Sequence, residues 1–196
     1  MNIITILIIL SSVLSIASVF PYLVGVVAGV TKPRIVTWIT WSALTAIASA
    51  AAFAEQHYTT MILLIVTTIL TSSVAIVGWK HGDKKIEKLD YICLAGAIIG
   101  IIVWWFSNSP SLAVVFTLVV DLIGGVPTLV HCWKKPTEEQ WKTFAISAVG
   151  SLCTLLAIGE WKVTAFAFPL YLFVMGSTYT VIILTRRSFL KIKDAI

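Results

Sequence analysis

Lys32-Pro33-Arg34-Ile35-Val36-Thr37-Trp38-Ile39-Thr40-Trp41 and Lys135-Pro136-Thr137-Glu138-Glu139-Gln140-Trp141-Lys142-Thr143-Phe144 both fit the pattern Lys-Pro-x4-Trp-x-Thr-aromatic, at an offset of 103 residues (135 − 32). Each copy is preceded by an apolar run with a late proline, Pro21 and Pro127. Each is followed by an apolar run that ends near a glutamate, Glu55 and Glu160. Two similar three-helix units would produce this arrangement. The same motif is also a serviceable start for any membrane helix, with a basic residue, a helix-compatible proline and an interfacial tryptophan. On its own it therefore leaves both readings open.

Outside the repeat the chain is apolar almost throughout. Of 196 residues 59% are hydrophobic and 12% charged, and the mean hydropathy is +0.99, which excludes an ordinary soluble domain and indicates a polytopic membrane protein. Seven stretches are long enough to span, at residues 3–30, 35–54, 58–79, 91–107, 110–132, 142–159 and 163–185. The first has no charged segment before it and is too long for a signal peptide, so it is kept as a helix. The expected fold is an all-α membrane protein of seven transmembrane helices. One membrane domain, residues 1–196, divides into a three-helix unit (1–79), a linker helix (88–107), a second three-helix unit (109–187) and a tail (188–196). With a single helix between them, both units start from the same membrane face, giving a parallel 3+1+3 repeat.

The basic residues set the orientation. Lys32 and Arg34, then Lys80, Lys84, Lys85 and Lys88, then Lys134, Lys135 and Lys142, and finally Arg186, Arg187, Lys191 and Lys193 fall on one side. Thirteen of the 14 Lys and Arg are thereby accounted for, with Lys162 alone opposite. The positive-inside bias puts the N-terminus outside and the C-terminus in the cytoplasm. The net charge of +5 arises from these loops and could attract anionic lipid heads; no nucleic acid partner is implied.

Asp121 interrupts the fifth apolar run in Asp121-Leu-Ile-Gly124-Gly125-Val-Pro127-Thr128. The run opens at Pro110, so this carboxyl group lies 11 residues in (121 − 110), about 17 Å of rise into a layer of about 30 Å. An ionisable group near the midplane is costly and is a functional candidate by default. The charged form is disfavoured there, which makes a proton-binding site the natural hypothesis. A neutral acid hydrogen-bonded for structure alone is the alternative. Pro21, Pro127 and Pro169 each leave a backbone carbonyl unpaired that lipid cannot satisfy, so they face protein or a wet cavity, as hinges or as static kinks.

Hydroxyl residues form stripes on single helix faces: Ser42, Thr45 and Ser49; Thr60, Thr67, Thr68 and Thr71; Thr143, Ser147, Ser151 and Thr154. They suit packing between membrane helices, or the wall of a solute path. Trp38 and Trp41 share a face at the cytoplasmic start of span two and fit a belt, a gate or a stacking surface. Cys93, Cys132 and Cys153, and His57, His81 and His131, have no metal-ligand spacing. No phosphate-binding loop or nucleophile context is present. Neither enzyme activity nor a cofactor or metal is expected.

The chain resembles the PQ-loop and SWEET superfamily over essentially its whole length. Ser18-Val-Phe20-Pro21-Tyr22 is similar to the first proline-glutamine motif, with Tyr22 in place of glutamine. Asp121-x2-Gly124-Gly125-x2-Thr128-Leu129-x-His131 is similar to the second motif region of cystinosin-type transporters. Spans three and seven lack the asparagines of SWEET sugar pockets, which argues against a sugar. Residues 21–41 also resemble small bacterial seven-span proteins, implying a bacterial inner membrane. The resemblance implies a secondary transporter of a small polar or zwitterionic solute, working by alternating access. Asp121 would couple protons, Tyr22, Trp38, Trp41 and Thr128 would form substrate or gate contacts, and Pro21, Pro127, Gly124 and Gly125 would flex. A non-transporting receptor or scaffold using the same cavity is the other reading.

Overall fold

The computed structural model describes residues 2–31, 33, 35–80, 82, 88–137 and 139–190. The basic residues Lys32, Arg34, Lys84, Lys85, Lys191 and Lys193, together with His81 and Glu138, lie outside these, as do the side chains of Pro127 and Cys93. Seven helices follow in order: α1 (Ile3–Val27), α2 (Ile35–Ala54), α3 (Tyr58–Gly78), α4 (Lys88–Ser107), α5 (Pro110–Lys134), α6 (Trp141–Ala157) and α7 (Val163–Phe189).

Local chemistry sets the ends. The Asn2 side chain accepts the Ile4 N–H at 3.3 Å, and Ser109 accepts that of Leu112 at 3.5 Å, just ahead of Pro110 at the start of α5. α1 stops at Gly29, whose φ of 71° needs no Cβ. The N–H groups of Val30 and Thr31 then close back on the Gly25 carbonyl at 2.9 Å each. The expected span to residue 30 is shortened accordingly. α7 instead outruns its apolar part and ends with Arg186 and Arg187 in its last turn, where cations suit the helix dipole. Arg187 donates to the carbonyls of Pro136 and Glu139 at 3.0 and 2.9 Å, tying that end to the α5–α6 link.

Five helices, α1, α2, α3, α5 and α7, are long and apolar enough to cross a membrane; α6 is apolar but has 17 residues. Side-chain placement agrees with an apolar solvent. Phe20, Val27 and Ile76 are 68%, 67% and 73% exposed, while Ser11, Ser15, Ser18, Thr45 and Thr154 are buried. Water would favour the reverse, so the protein is an integral membrane protein.

Short links alternate the helix directions. The starts of α1, α3, α5 and α7 and the ends of α2, α4 and α6 share one face of the bundle, the N-terminal face. Lys80, Lys88, Lys134, Lys135, Lys142, Arg186 and Arg187 stand at the other, the basic face. α3 packs between α1 and α2, and α7 between α5 and α6. α1 meets α6, and α2 meets α5. α4 lies against α5 and, more lightly, α2. Gly96 makes its approach possible, since a Cβ there would stand 2.5 Å from a methyl of Val120.

Apart from Leu44 with Val120, midway along α2 and α5, the buried apolar clusters among the described residues divide by depth. Towards the N-terminal face, one joins Ala48, Ala52, Leu64 and Phe168, and another joins Ala51, Ala113 and Val114. Both tie α2 to the later helices. Towards the basic face, Val19, Tyr22, Val26, Trp38, Val74 and Ala75 stay within α1–α3. Cys132, Met175, Tyr179 and Ile183, backed by Trp141 and Phe144, stay within α5–α7.

Candidate functional site: a cavity around Asp121

Asp121 stands 11 residues from the first residue of α5 and 13 from the last (121 − 110 and 134 − 121), and it is 7% exposed. Its Oδ1 has no hydrogen-bond partner. The indole of Trp41 and the hydroxyl of Tyr171 are the side-chain donors that flank its carboxyl group. The carboxyl group borders a cavity of about 120 Å³.

Six helices build the wall. α1 supplies Ser15, Ser18 and Val19; α2 supplies Trp38, Trp41 and Thr45. α3 adds Leu63, Thr67, Leu70 and Thr71, and α6 adds Thr143, Phe144, Ser147 and Ser151. α7 contributes Tyr171, Leu172, Met175, Gly176 and Tyr179, residues at helical spacing that present one face. No described residue of α4 takes part. Among the described residues the lining contains one carboxyl group and no Lys, Arg or His.

Several hydroxyls hold helices together as well as lining the space. Thr68 Oγ1 donates to Thr45 Oγ1 at 2.9 Å, and Ser42 Oγ to Thr71 Oγ1 at 3.0 Å, stitching α2 to α3. Thr45, Thr67 and Thr71 also bond carbonyls one turn back, so their polarity is met within the protein. Thr143 differs: its buried Oγ1 has no partner, and it faces the same cavity as the unpartnered Asp121 Oδ1. Two of the three such atoms among the described residues therefore border one space, the third being His57 Nε2.

Trp38 and Trp41 face inward rather than forming a lipid belt. The Trp38 ring lies 5.0 Å from that of Tyr22 and 5.2 Å, edge to face, from that of Trp41. Tyr22 is buried behind Trp38 and does not reach the cavity wall. Thr128 is half-buried and also lies off the wall. It is seven residues beyond Asp121, so it shares a face of α5 but sits about 10 Å nearer the basic face. Pro21 sits within an unbroken α1, and α5 continues through positions 124, 125 and 127. Gly125 is buried where a Cβ would come within 2.8 Å of the Tyr179 hydroxyl, which donates to the Gly125 carbonyl at 3.3 Å.

Among the polar and aromatic wall residues, Ser15, Ser18, Phe144, Tyr171 and Tyr179 were not site candidates in the sequence. Ser11, Ser15 and Ser18 stand at intervals of four and three, a stripe that could have been read like the other three. The aromatic residues of α7 gave no such signal, because a ring in an apolar span suits lipid equally well.

A second concavity of about 260 Å³ opens at the N-terminal face between Gln56, His57, Tyr58, Gly159 and Glu160. There Thr164 donates to Glu55 at 2.7 Å and His57 Nε2 stands 3.5 Å from the same carboxylate oxygen. Among the described residues no group of three or more His, Cys, Asp or Glu is placed to hold a metal ion.

Searches against models of protein families, curated proteins and solved structures return no match for this chain.

Proposed function

We propose that the protein is a secondary transporter of a small polar solute that alternates access to the cavity around Asp121, with that residue exchanging a proton. One observation carries the reading: six helices from opposite ends of the chain converge on a buried carboxyl group that keeps an unpartnered oxygen. A carboxyl group kept only for structure would have its acceptors satisfied by neighbouring donors.

The packing also supports seven spans in a parallel 3+1+3 arrangement. Exchanging α1, α2 and α3 with α5, α6 and α7 turns α1–α3 packing into α5–α7, α2–α3 into α6–α7, and α1–α6 into α5–α2. Each of these pairs is present. A pseudo-twofold axis along the membrane normal would relate two such units and would pass close to the cavity. Rocking of one unit against the other needs a seam that can close at either end. Two apolar clusters that join early to late helices lie at the N-terminal face, consistent with a state sealed on that side, while Leu44 of α2 meets Val120 of α5 at mid-depth. Positive-inside asymmetry assigns the basic face to the cytoplasm.

Among the described residues Asp121, from α5, and Tyr171 and Tyr179, from α7, are the titratable groups on the wall; α1, α2, α3 and α6 present none. The test is proton movement by purified protein in liposomes across a panel of metabolites, with wild type and Asp121→Asn compared at equal folded amounts. Solute-dependent proton flux that the substitution abolishes is expected. Solute flux with no proton movement would remove the coupling role, and absence of any flux would remove the transporter.

A further inference from the structure

Taking the cavity as the solute site, an assumption that rests on the reading above, its chemistry narrows what enters. Among the described residues the wall carries one carboxyl group, hydroxyls and aromatic rings, with no cationic side chain. An anion would meet Asp121 with nothing to offset it. A zwitterion would place its own carboxylate in a low-dielectric space without a counter-ion, at a cost that hydroxyls alone do not recover. A positive charge meets an opposite charge and the faces of aromatic rings together.

Size and donor count sharpen this. About 120 Å³ is well under the roughly 300–1,000 Å³ of pockets for drug-sized ligands, so the solute has only a few heavy atoms. The orphan Asp121 Oδ1 accepts hydrogen bonds, which favours a group with N–H donors over a quaternary ion. Thr143, across the cavity on α6, can pair with a second polar group. We infer that the solute is a compact organic ammonium ion, its charged nitrogen paired with Asp121 and its carbon atoms against Trp41 and Tyr171. Because cation and proton would compete for one carboxylate, each would leave as the other arrives, giving exchange.

Ethanolamine, charged at neutral pH, is the probe, with ethylene glycol as its neutral counterpart, acetate as the anion, and sodium and tetramethylammonium ions as further controls. Binding to the full-length protein in nanodiscs is followed by tryptophan fluorescence, since Trp38 and Trp41 line the site, and by thermal melting. Saturable binding of ethanolamine is expected, weaker for tetramethylammonium and absent for ethylene glycol and acetate. Asp121→Asn should weaken it at least about tenfold. Should Asp121→Asn fail to fold, Trp41→Phe is expected to weaken ethanolamine by a few fold in protein that still folds and melts cooperatively. Equal binding of ethylene glycol, or sodium binding that matches ethanolamine, overturns the inference. Flux of a neutral or anionic solute with no response to ethanolamine also overturns it, while leaving the transporter reading intact. Ethanolamine binding that requires Asp121 but produces no flux has the opposite meaning: the ligand class stands and transport falls.

Discussion

The two ends of the bundle are held by different means. At the N-terminal face Phe168 of α7 is fully buried among Ala48, Ala52 and Leu64, so helices from both ends of the chain share one core. At the basic face the aromatic cluster of Tyr22 and Trp38 closes on α1–α3, and that of Phe144 and Tyr179 closes on α5–α7. There the two groups approach through Gln140, whose amide nitrogen would stand 3.6 Å from a Cβ on Gly25. Apolar side chains interlock and separate at a large cost, whereas a polar contact at a helix end exchanges readily for lipid headgroups or water. The comparison teaches that the two ends of the bundle are separable features.

Cutting the shared core is the most severe test of that difference. Phe168→Ala is expected to destabilise the protein by about 3–5 kcal/mol. In a background with Cys93, Cys132 and Cys153 replaced by alanine, it should also expose Leu172→Cys to an impermeant thiol reagent added at the N-terminal face. Ile183→Ala at the other end, equally buried, should lower melting comparably without that gain in labelling. Equal labelling in both variants would erase the distinction.

Next come two glycines of the later helices. A Cβ at Gly176 would stand 2.9 Å from the Phe144 carbonyl oxygen and 3.2 Å from the Ala148 Cβ, atoms fixed by helix α6. Gly176→Ala should cost about 1–3 kcal/mol in thermal or denaturant unfolding. At Gly125 the nearest atom is the Tyr179 hydroxyl, which can swing aside, so Gly125→Ala should cost clearly less. The reverse order would mean that α5, rather than α6, is the rigid partner of α7.

Smaller effects follow from hydrogen bonds between early and late helices. Thr60 donates to the Ala165 carbonyl at 2.6 Å, and Ser11 bonds Thr154 at 2.7 Å. Removing either bond, in Thr60→Val or Ser11→Ala, should cost about 1 kcal/mol. A double-mutant cycle on Ser11 and Thr154 that shows no coupling would break the claim that these pairs tie the groups together. The smallest effect is expected at Glu160, which meets Lys162 at 3.0 Å on the surface. The hydrogen bond from Lys162 holds the Glu160 carboxyl below its ordinary range, so any stabilisation is present above the ordinary carboxylate pKa and fades as pH falls through the lowered one. The pair is open to solvent, and Glu160→Gln should leave melting unchanged at any pH where the fold persists.

Much of this arrangement was legible in the chain. Apolar run length gave every helix to within a few residues, because a bilayer fixes how long a span must be. Asp121 stood out because charge is so rare in such runs, and Trp38 and Trp41 because their spacing is helical. What lay beyond the sequence was which face of a uniformly apolar helix turns inward. Tyr171 and Tyr179 look like lipid-facing rings until α5 and α6 are placed beside them. Tyr22 and Thr128 were expected at the site from their places in the two motif regions, yet one or two turns of rise carry them below it.

α4 gives the chain a direction more than a surface. It rests on α5 and α2, and it reverses the path so that α5 sets out from the face where α1 began. In the language of descent, the proposed repeat of three helices would need one such hyphen to be joined to itself in register. A hyphen is constrained by length, greasiness and a small residue at position 96 far more than by spelling. Another apolar helix of the same 20 residues, with Gly96 retained, should serve in its place and leave the other six helices undisturbed.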